Sequence, residues 1–88
     1  MSIFEIVISK QFARQFRKLD ANLKEEILVK LDLLKDSVNH QSLKVHKLNG
    51  RMADKYSFSV NYKIRVIFSY PIQSEILLLL VGSHDVYN

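Results

Sequence analysis

The sequence contains no cysteine, no tryptophan, one proline and two glycines among its 88 residues. Without cysteine it has neither disulfide bonds nor thiolate metal ligands, which fits a reducing cytosol. Its longest uninterrupted apolar run has six residues, far fewer than the roughly 20 that a membrane-spanning helix needs. The start MSIFEIVISK lacks a charged leader and a long apolar region, so we expect no signal peptide and a cytoplasmic location.

What the sequence does contain supports a folded domain with an anionic partner. Hydrophobic residues make up 48% of the chain and nine residues are Tyr or Phe, enough for a real core. The length predicts a single domain spanning residues 1–88. Thirteen Lys and Arg against nine Asp and Glu give a net charge of +4. This charge favours binding to nucleic acid or to an acidic protein.

The segment EILLLLVGSHDVY, from Glu75 to Tyr87, holds the strongest structural signal. Its six apolar residues from Ile76 to Val81 predict a strand that is buried on both faces inside a sheet. We expect Gly82 to end the strand because glycine adopts backbone angles that other residues resist. Four polar side chains follow: Ser83, His84, Asp85 and Tyr87. Polar groups at the end of a rigid strand predict a functional site there.

The first half of the chain predicts a strand followed by two helices. Ile3 to Ile8 has strand composition, and the Ser9 hydroxyl can cap the next helix. The apolar stripe of that helix consists of Phe12, Phe16 and Leu19. Asn22 and Glu25 resemble a capping box that starts the second helix. The apolar stripe of the second helix consists of Leu23, Ile27, Leu31 and Leu34. The two helices are expected to form a hairpin across one sheet face.

The second half predicts a basic loop and three antiparallel strands. Residues 37–54 have no strong periodicity, with Gly50 as an expected turn and a short extended piece near residues 43–48. Two alternating strands follow, residues 56–60 and 63–70, before the apolar run. The expected fold class is α+β with the order β-α-α-β-β-β, a small twisted antiparallel sheet with the helical hairpin on one face. The opposite face should be open and carry Ser57, Ser59 and Arg65.

The whole chain resembles the RelE/ParE superfamily of toxins from type II toxin–antitoxin systems. The resemblance rests on the opening strand and helical hairpin, the phrase KLNGRMADKYSFSV, the strand KIRVIF and the ending LLLLVGSHDVYN. It implies a toxin that is neutralised by a cognate antitoxin. The RelE-like and YafQ-like members are similar in activity to ribonucleases that cut mRNA on the ribosome, which implies a metal-independent endoribonuclease without a cofactor.

The resemblance also implies roles for individual residues. Arg65 matches a phosphate-binding arginine, and His84 matches a catalytic Arg or His. Tyr87 matches a C-terminal aromatic residue, and His46 resembles a loop histidine of the YafQ-like branch. Some relatives carry lysines where this chain has Ser57 and Ser59.

The implied reaction is attack of a ribose 2′-hydroxyl on the adjacent phosphate, which needs proton transfer and positive charge. Histidine suits the first task and Arg65 the second. Tyr87 could stack on a base, and Asp85 could orient the ring of His84. Residues expected to bind the flanking RNA are Lys44, His46, Lys47, Arg51, Lys55 and Lys63.

Each assignment has a purely structural alternative. Arg65 could pair with Glu75 or Asp85, Tyr87 could anchor the C-terminus, and either histidine could simply be exposed. His40, His46 and His84 lack the spacing of metal ligands, so we expect no metal site. Two other functions also stay open, because one fold can serve several. The chain could bind and inhibit DNA gyrase as ParE-like toxins do, or it could be an attenuated homologue that only binds antitoxin.

Overall fold

The computed structural model describes residues 3–83, in which a five-stranded sheet is packed on one face by two helices. The elements in chain order are β1 (Glu5–Ile8), α1 (Lys10–Arg17), α2 (Ala21–Leu34), β2 (His46–Lys47), β3 (Tyr56–Ser59), β4 (Arg65–Ser69) and β5 (Glu75–Gly82). The spatial order of the strands is β1-β5-β4-β3-β2. This arrangement confirms the predicted α+β fold with an N-terminal helical hairpin.

The sheet differs from the expected antiparallel one in one detail. It is mixed, because β1 runs parallel to β5 while the other neighbours are antiparallel. A parallel pair needs a long crossover, which the two helices and the intervening strands supply. The predicted extended piece near residues 43–48 is confirmed as β2, which forms one edge of the sheet.

The predicted cap of α1 is confirmed. The Oγ of Ser9 accepts a hydrogen bond from the backbone N–H of Phe12 at 3.0 Å. The same hydroxyl donates to the carbonyl oxygen of Leu79 on β5 at 3.2 Å. The Oε1 of Gln15 accepts from the N–H of Val81 at 2.8 Å. These β5 groups lie beyond the end of β1, so side chains of α1 and its cap satisfy them where the neighbouring strand stops.

The predicted start of α2 is wrong by two residues. The N-cap is Asp20, whose Oδ1 accepts from the N–H of Leu23 at 2.8 Å, and Asn22 lies inside the helix. Both residue types cap well, but the carboxylate also interacts favourably with the positive end of the helix dipole.

The core lies between the helices and the sheet. Its fully buried members include one residue of α1, three of α2 and the inward positions of β3, β4 and β5: Phe12, Ile27, Leu31, Leu34, Phe58, Val66, Phe68, Ile76, Leu78 and Val81. β5 lies between β1 and β4, as predicted. Its inward side chains are buried, whereas Leu77, Leu79 and Leu80 are half-buried, so the prediction that this strand is buried on both faces is wrong.

The sheet face away from the helices is here called the outer face; it carries His46, Ser57, Ser59, Arg65, Ile67, Leu80 and Gly82. The expectation that this face is open is wrong at its centre, where Ser57 and Ile67 are fully buried. Ser57 is paired with His46 on one side and Ile67 on the other, so a short side chain lies between two larger ones. Ser59 and Arg65 are half-buried.

Two residues of the connecting segments have positive φ. Gly50, at φ 67°, begins a 3₁₀ turn (Gly50–Met52), which confirms the predicted turn. Lys44 has φ 59°, an uncommon value for a residue with a side chain. Gly82 does not have a positive φ, so the predicted reason for the end of β5 is wrong although the strand ends there. None of the described helices combines the length and hydrophobicity needed to cross a membrane.

Candidate functional site

Two sequence-predicted site residues, Arg65 and His46, lie on the outer face, and three lie outside the described residues. His84, Asp85 and Tyr87 follow the last described residue, Ser83, so their predicted roles stay predictions. Arg65 begins β4 and His46 begins β2, two strands away. Lys44 precedes β2, and Lys55 precedes β3.

The strand register places His46 and Arg65 in adjacent rows of the outer face. One row crosses the sheet as His46, Ser57, Ile67 and Leu80, and the next contains Ser59, Arg65 and Gly82. The Cα atoms of His46 and Arg65 are two strands apart across the sheet and two residues apart along the strands, which gives a separation of about 12 Å. Side chains as long as these can therefore approach the two ends of one nucleotide.

The guanidinium of Arg65 is held by a neighbouring hydroxyl. Its Nη1 donates a hydrogen bond to the Oγ of Ser59, the residue directly across on β3. An arginine side chain has five N–H donors, so most remain available for an anion. On the other side Arg65 faces Gly82, which has no side chain to crowd it.

Arg65 has no carboxylate partner among residues 3–83. The ion pairs in this part of the chain are Lys35 with Asp32 and Lys55 with Asp54. The alternative pairing of Arg65 with Glu75 is wrong, because Glu75 lies at the other end of β5, level with Glu5. Within residues 3–83 no carboxylate therefore neutralises the guanidinium on the outer face.

The ring of His46 is oriented by the backbone. Its Nδ1 lies 3.0 Å from the carbonyl oxygen of Lys44. A carbonyl only accepts hydrogen bonds, so Nδ1 is the donor in this contact and Nε2 takes no part in it. The positive φ of Lys44 belongs to the turn that leads into β2. The side chain of His46 is exposed, so Nε2 is accessible to a substrate.

The predicted RNA-binding cations are distributed unevenly. Lys44, Arg51 and Lys63 are exposed, in three separate connections between strands or helices. Lys47 is exposed but follows His46 in β2, so it points away from the outer face. The Nζ of Lys55 lies 3.1 Å from Asp54, and this hydrogen bond lowers the pKa of the Asp54 carboxyl below its usual value.

Two relevant residues were missed by the sequence analysis. Ser59 was expected on the outer face but not as the partner of Arg65, because that contact depends on the register of the hairpin. Tyr62, in that turn, is 88% exposed and presents an aromatic ring three residues from Arg65. An exposed aromatic side chain beside cations is suited to stacking on an unpaired base.

Ser57 is unusual because its Oγ is buried and has no hydrogen-bond partner. A buried hydroxyl without a partner is unfavourable for folding. A charged side chain introduced here would also be unfavourable, because its charge would have to be removed from water.

The outer face thus presents a guanidinium held by Ser59 and an exposed imidazole held by the carbonyl of Lys44. No cluster of three or more His, Asp or Glu suited to a metal ion occurs in residues 3–83.

An apolar concave surface is lined by residues of β1 and the helices, and its two parts share Ile8, Leu28 and Leu31. Ile8 and Leu28 are each more than half exposed. Its apolar lining is suited to contact with another protein rather than to catalysis.

Comparison with known proteins identifies related folds. A family model described as the RelE-like toxin of the type II toxin–antitoxin system HigB matches residues 8–84. The archaeal RelE–RelB complex from Pyrococcus horikoshii is 20% identical, with a TM-score of 0.71 over 96% of this chain and 98% of that chain. The YoeB–YefM complex from Staphylococcus aureus is 16% identical, with a TM-score of 0.74 over 92% and 97%.

YafQ from Escherichia coli is 17% identical, with a TM-score of 0.67 over 92% of this chain and 93% of that chain. At these identities the likeness shows the fold. Among curated protein sequences, none matches the chain.

Proposed function

The chain belongs to the HigB-like family of RelE-like toxins of type II toxin–antitoxin systems, and from this premise we propose that it is an endoribonuclease that cuts mRNA on the ribosome. The observation that carries the proposal is the outer face, where two side chains lie in adjacent rows: the guanidinium of Arg65, which has no carboxylate partner among residues 3–83, and the oriented ring of His46. The reaction would take place in the cytoplasm, where messages are translated.

In the proposed reaction the ribose 2′-hydroxyl attacks the adjacent phosphate and the 5′-oxygen leaves. Arg65 stabilises the charge that develops on the phosphate oxygens. The Nε2 of His46 accepts or donates a proton, and His84 shares this task at the other side of the phosphate. Tyr87 contacts a base or the phosphate, and Asp85 orients His84. No metal or cofactor takes part in this scheme.

The flanking RNA would be held by charge rather than by base-specific contacts. Lys44, Arg51 and Lys63 are exposed and available, whereas Lys55 is partly neutralised by Asp54. Lys47 points to the other side of β2 and would contribute least. Binding through such cations is sensitive to salt and tolerant of sequence.

We further propose that a cognate antitoxin with an acidic segment neutralises the toxin. Related folds have been solved as a RelE–RelB complex, a YoeB–YefM complex and the toxin–antitoxin complex RelBE2. In this chain the charged residues of α1 are all basic, and Arg17 lines the apolar concave surface beside Leu28. An acidic segment with apolar side chains fits this combination of charge and exposed hydrophobic surface.

The decisive experiment is induction of the toxin without antitoxin, followed by mapping of mRNA 5′ ends and a gyrase supercoiling assay. Cuts within translated messages support the proposal. Intact messages with failed supercoiling contradict it and select gyrase inhibition. Intact messages with normal supercoiling and normal growth identify an attenuated homologue.

Variants then assign the site. We expect His46→Gln and His84→Ala each to lower the cleavage rate by about 10²-fold if both transfer protons. The matched control is His40→Gln. The Nε2 of His40 lies 2.8 Å from the carbonyl oxygen of Leu34 at the end of α2, and its ring stacks on Phe4, so this histidine has a structural role. Unchanged cleavage in His46→Gln would remove that residue from the mechanism.

A further inference from the structure

We infer that Ser59 is the positioning residue for Arg65, so that the hydroxyl on β3 fixes the guanidinium in the orientation that receives a phosphate. The inference rests on the proposed function, because it assigns a task within the same site. It starts from the contact between the Nη1 of Arg65 and the Oγ of Ser59.

The turn between β3 and β4 fixes this contact. The Oδ1 of Asn61 accepts hydrogen bonds from the N–H groups of Lys63 and Ile64, both at 2.8 Å. The N–H of Val60 donates to the carbonyl oxygen of Ile64 at 2.8 Å. The N–H of Asn61 also donates to this carbonyl, at 3.4 Å. These four hydrogen bonds set the register of the hairpin, in which Ser59 lies opposite Arg65.

A positioned arginine binds an anion better than a freely rotating one. Its side chain has many rotamers, and ordering them on binding costs free energy. The hydrogen bond to Ser59 selects one arrangement beforehand and occupies one of five donors. The β5 residue level with Arg65 is Gly82, which has no side chain and so cannot help to orient the guanidinium.

Ser57 provides an internal comparison on the same strand and the same face. It is the same residue type two positions away, but it is fully buried and its Oγ has no partner. A hydroxyl on the outer face of β3 is therefore not sufficient. Only the one at position 59 is level with Arg65 and partly exposed beside it.

The test compares Ser59→Val with Ser59→Thr. The two substitutions introduce side chains of the same shape, and both suit a strand, but only threonine keeps the hydroxyl. The ¹⁵N–¹H NMR signals of the Arg65 guanidinium are recorded in the isolated toxin, and cleavage is measured on ribosomes programmed with a defined message. Ser57→Ala is the control, and thermal denaturation of all variants checks the fold.

We expect Ser59→Val to increase the motion of the guanidinium and to lower kcat/KM about tenfold, the effect of losing one hydrogen bond to a charged group. Ser59→Thr should keep both properties within about twofold of the wild type, and Ser57→Ala should change neither. Two results would overturn the inference: equal losses of kcat/KM in Ser59→Val and Ser59→Thr, or unchanged motion of the Arg65 guanidinium in Ser59→Val. If the wild type cuts no message, the proposed function fails, and the NMR measurement still decides whether Ser59 holds Arg65.

Discussion

Phe58 and Ser59 are neighbours on β3, yet their side chains belong to two different environments. Phe58 is fully buried under the helices, and the centroid of its ring lies 6.3 Å from that of Phe68. Ser59 lies on the outer face and binds the guanidinium of Arg65. The inner face is made of large apolar side chains, whose contribution to the stability of the fold is proportional to the area they bury. The outer face depends on a few polar contacts, so changes there should affect function more than stability.

The aromatic residues of the inner face illustrate the first environment. Tyr70 contacts Tyr56 at 4.8 Å and Phe68 at 5.5 Å between ring centroids, both edge to face. Phe4 joins the group at 5.4 Å from Tyr70. Such pairs add to the stabilisation from burial. The outer face has no comparable group among residues 3–83, and its central polar atom, the Oγ of Ser57, is left without a partner.

The largest effect is expected on the inner face. Phe58→Ala should lower the free energy of unfolding by about 3–5 kcal/mol, because it removes a fully buried ring and leaves a cavity. Urea denaturation followed by circular dichroism measures the change, with the smaller truncation Phe58→Leu as the control. A loss below about 1 kcal/mol would show that the inner face tolerates repacking and would weaken the contrast.

The next effect is on activity alone. Arg65→Gln should lower mRNA cleavage by about 10²–10³-fold, because the phosphate loses its fixed charge, while the free energy of unfolding changes little. Arg14→Gln is the matched control: it removes the same charge from an exposed position on α1. Equal cleavage by the two variants would contradict the assignment of the outer face as the functional one.

A smaller effect should distinguish the two serines of β3. Ser57→Ala should raise the free energy of unfolding by about 1 kcal/mol, because it deletes a buried hydroxyl that has no hydrogen-bond partner. Ser57→Lys should be strongly destabilising, since it buries a charge. Urea denaturation measures both changes. A marked loss of stability in Ser57→Ala would show that the hydroxyl has a partner in solution.

The smallest expected effect is on how stability depends on pH, through Tyr70 on the inner face. Burial, with a smaller effect of Tyr56, raises the pKa of Tyr70 above its ordinary value of 10.0. The folded state therefore holds this proton more tightly than the unfolded state does. The resulting stabilisation is complete below about pH 10 and is lost as the pH rises through the pKa of the folded state.

Urea denaturation between pH 8 and 11 tests whether stability falls with rising pH as expected. The decline in stability above pH 10 should be shallower in Tyr70→Phe than in the wild type, because phenylalanine has no proton to lose. An identical pH dependence in the two proteins would show that Tyr70 titrates normally.

Much of the inner face could be predicted from the sequence. Alternation in residues 56–60 and 63–70 predicted which side chains point inward, and Phe58, Val66 and Phe68 are indeed buried. The cap at Ser9 was also predicted correctly. The second cap was not, because Asp20 and Asn22 are both suitable and the choice depends on where the chain leaves α1.

The outer face could be predicted less well. Its membership followed from the same alternation, which placed Ser57, Ser59 and Arg65 together. The burial of Ser57 did not follow, because it depends on the sizes of His46 and Ile67 on neighbouring strands. The partner of Arg65 required the register of the hairpin, and the proposed roles of His84, Asp85 and Tyr87 lie outside the described residues.

The sequence alone determined the helices, the main strands and the inward side chains, because each depends on residues a few positions apart. Only the tertiary structure decided that β1 runs parallel to β5, some 70 residues away along the chain, and that Ser59 holds Arg65 while Ser57 holds nothing. Hydrophobic periodicity specifies which face a side chain points to. Which neighbour it meets on that face is set by strand order and register, which only the assembled sheet fixes.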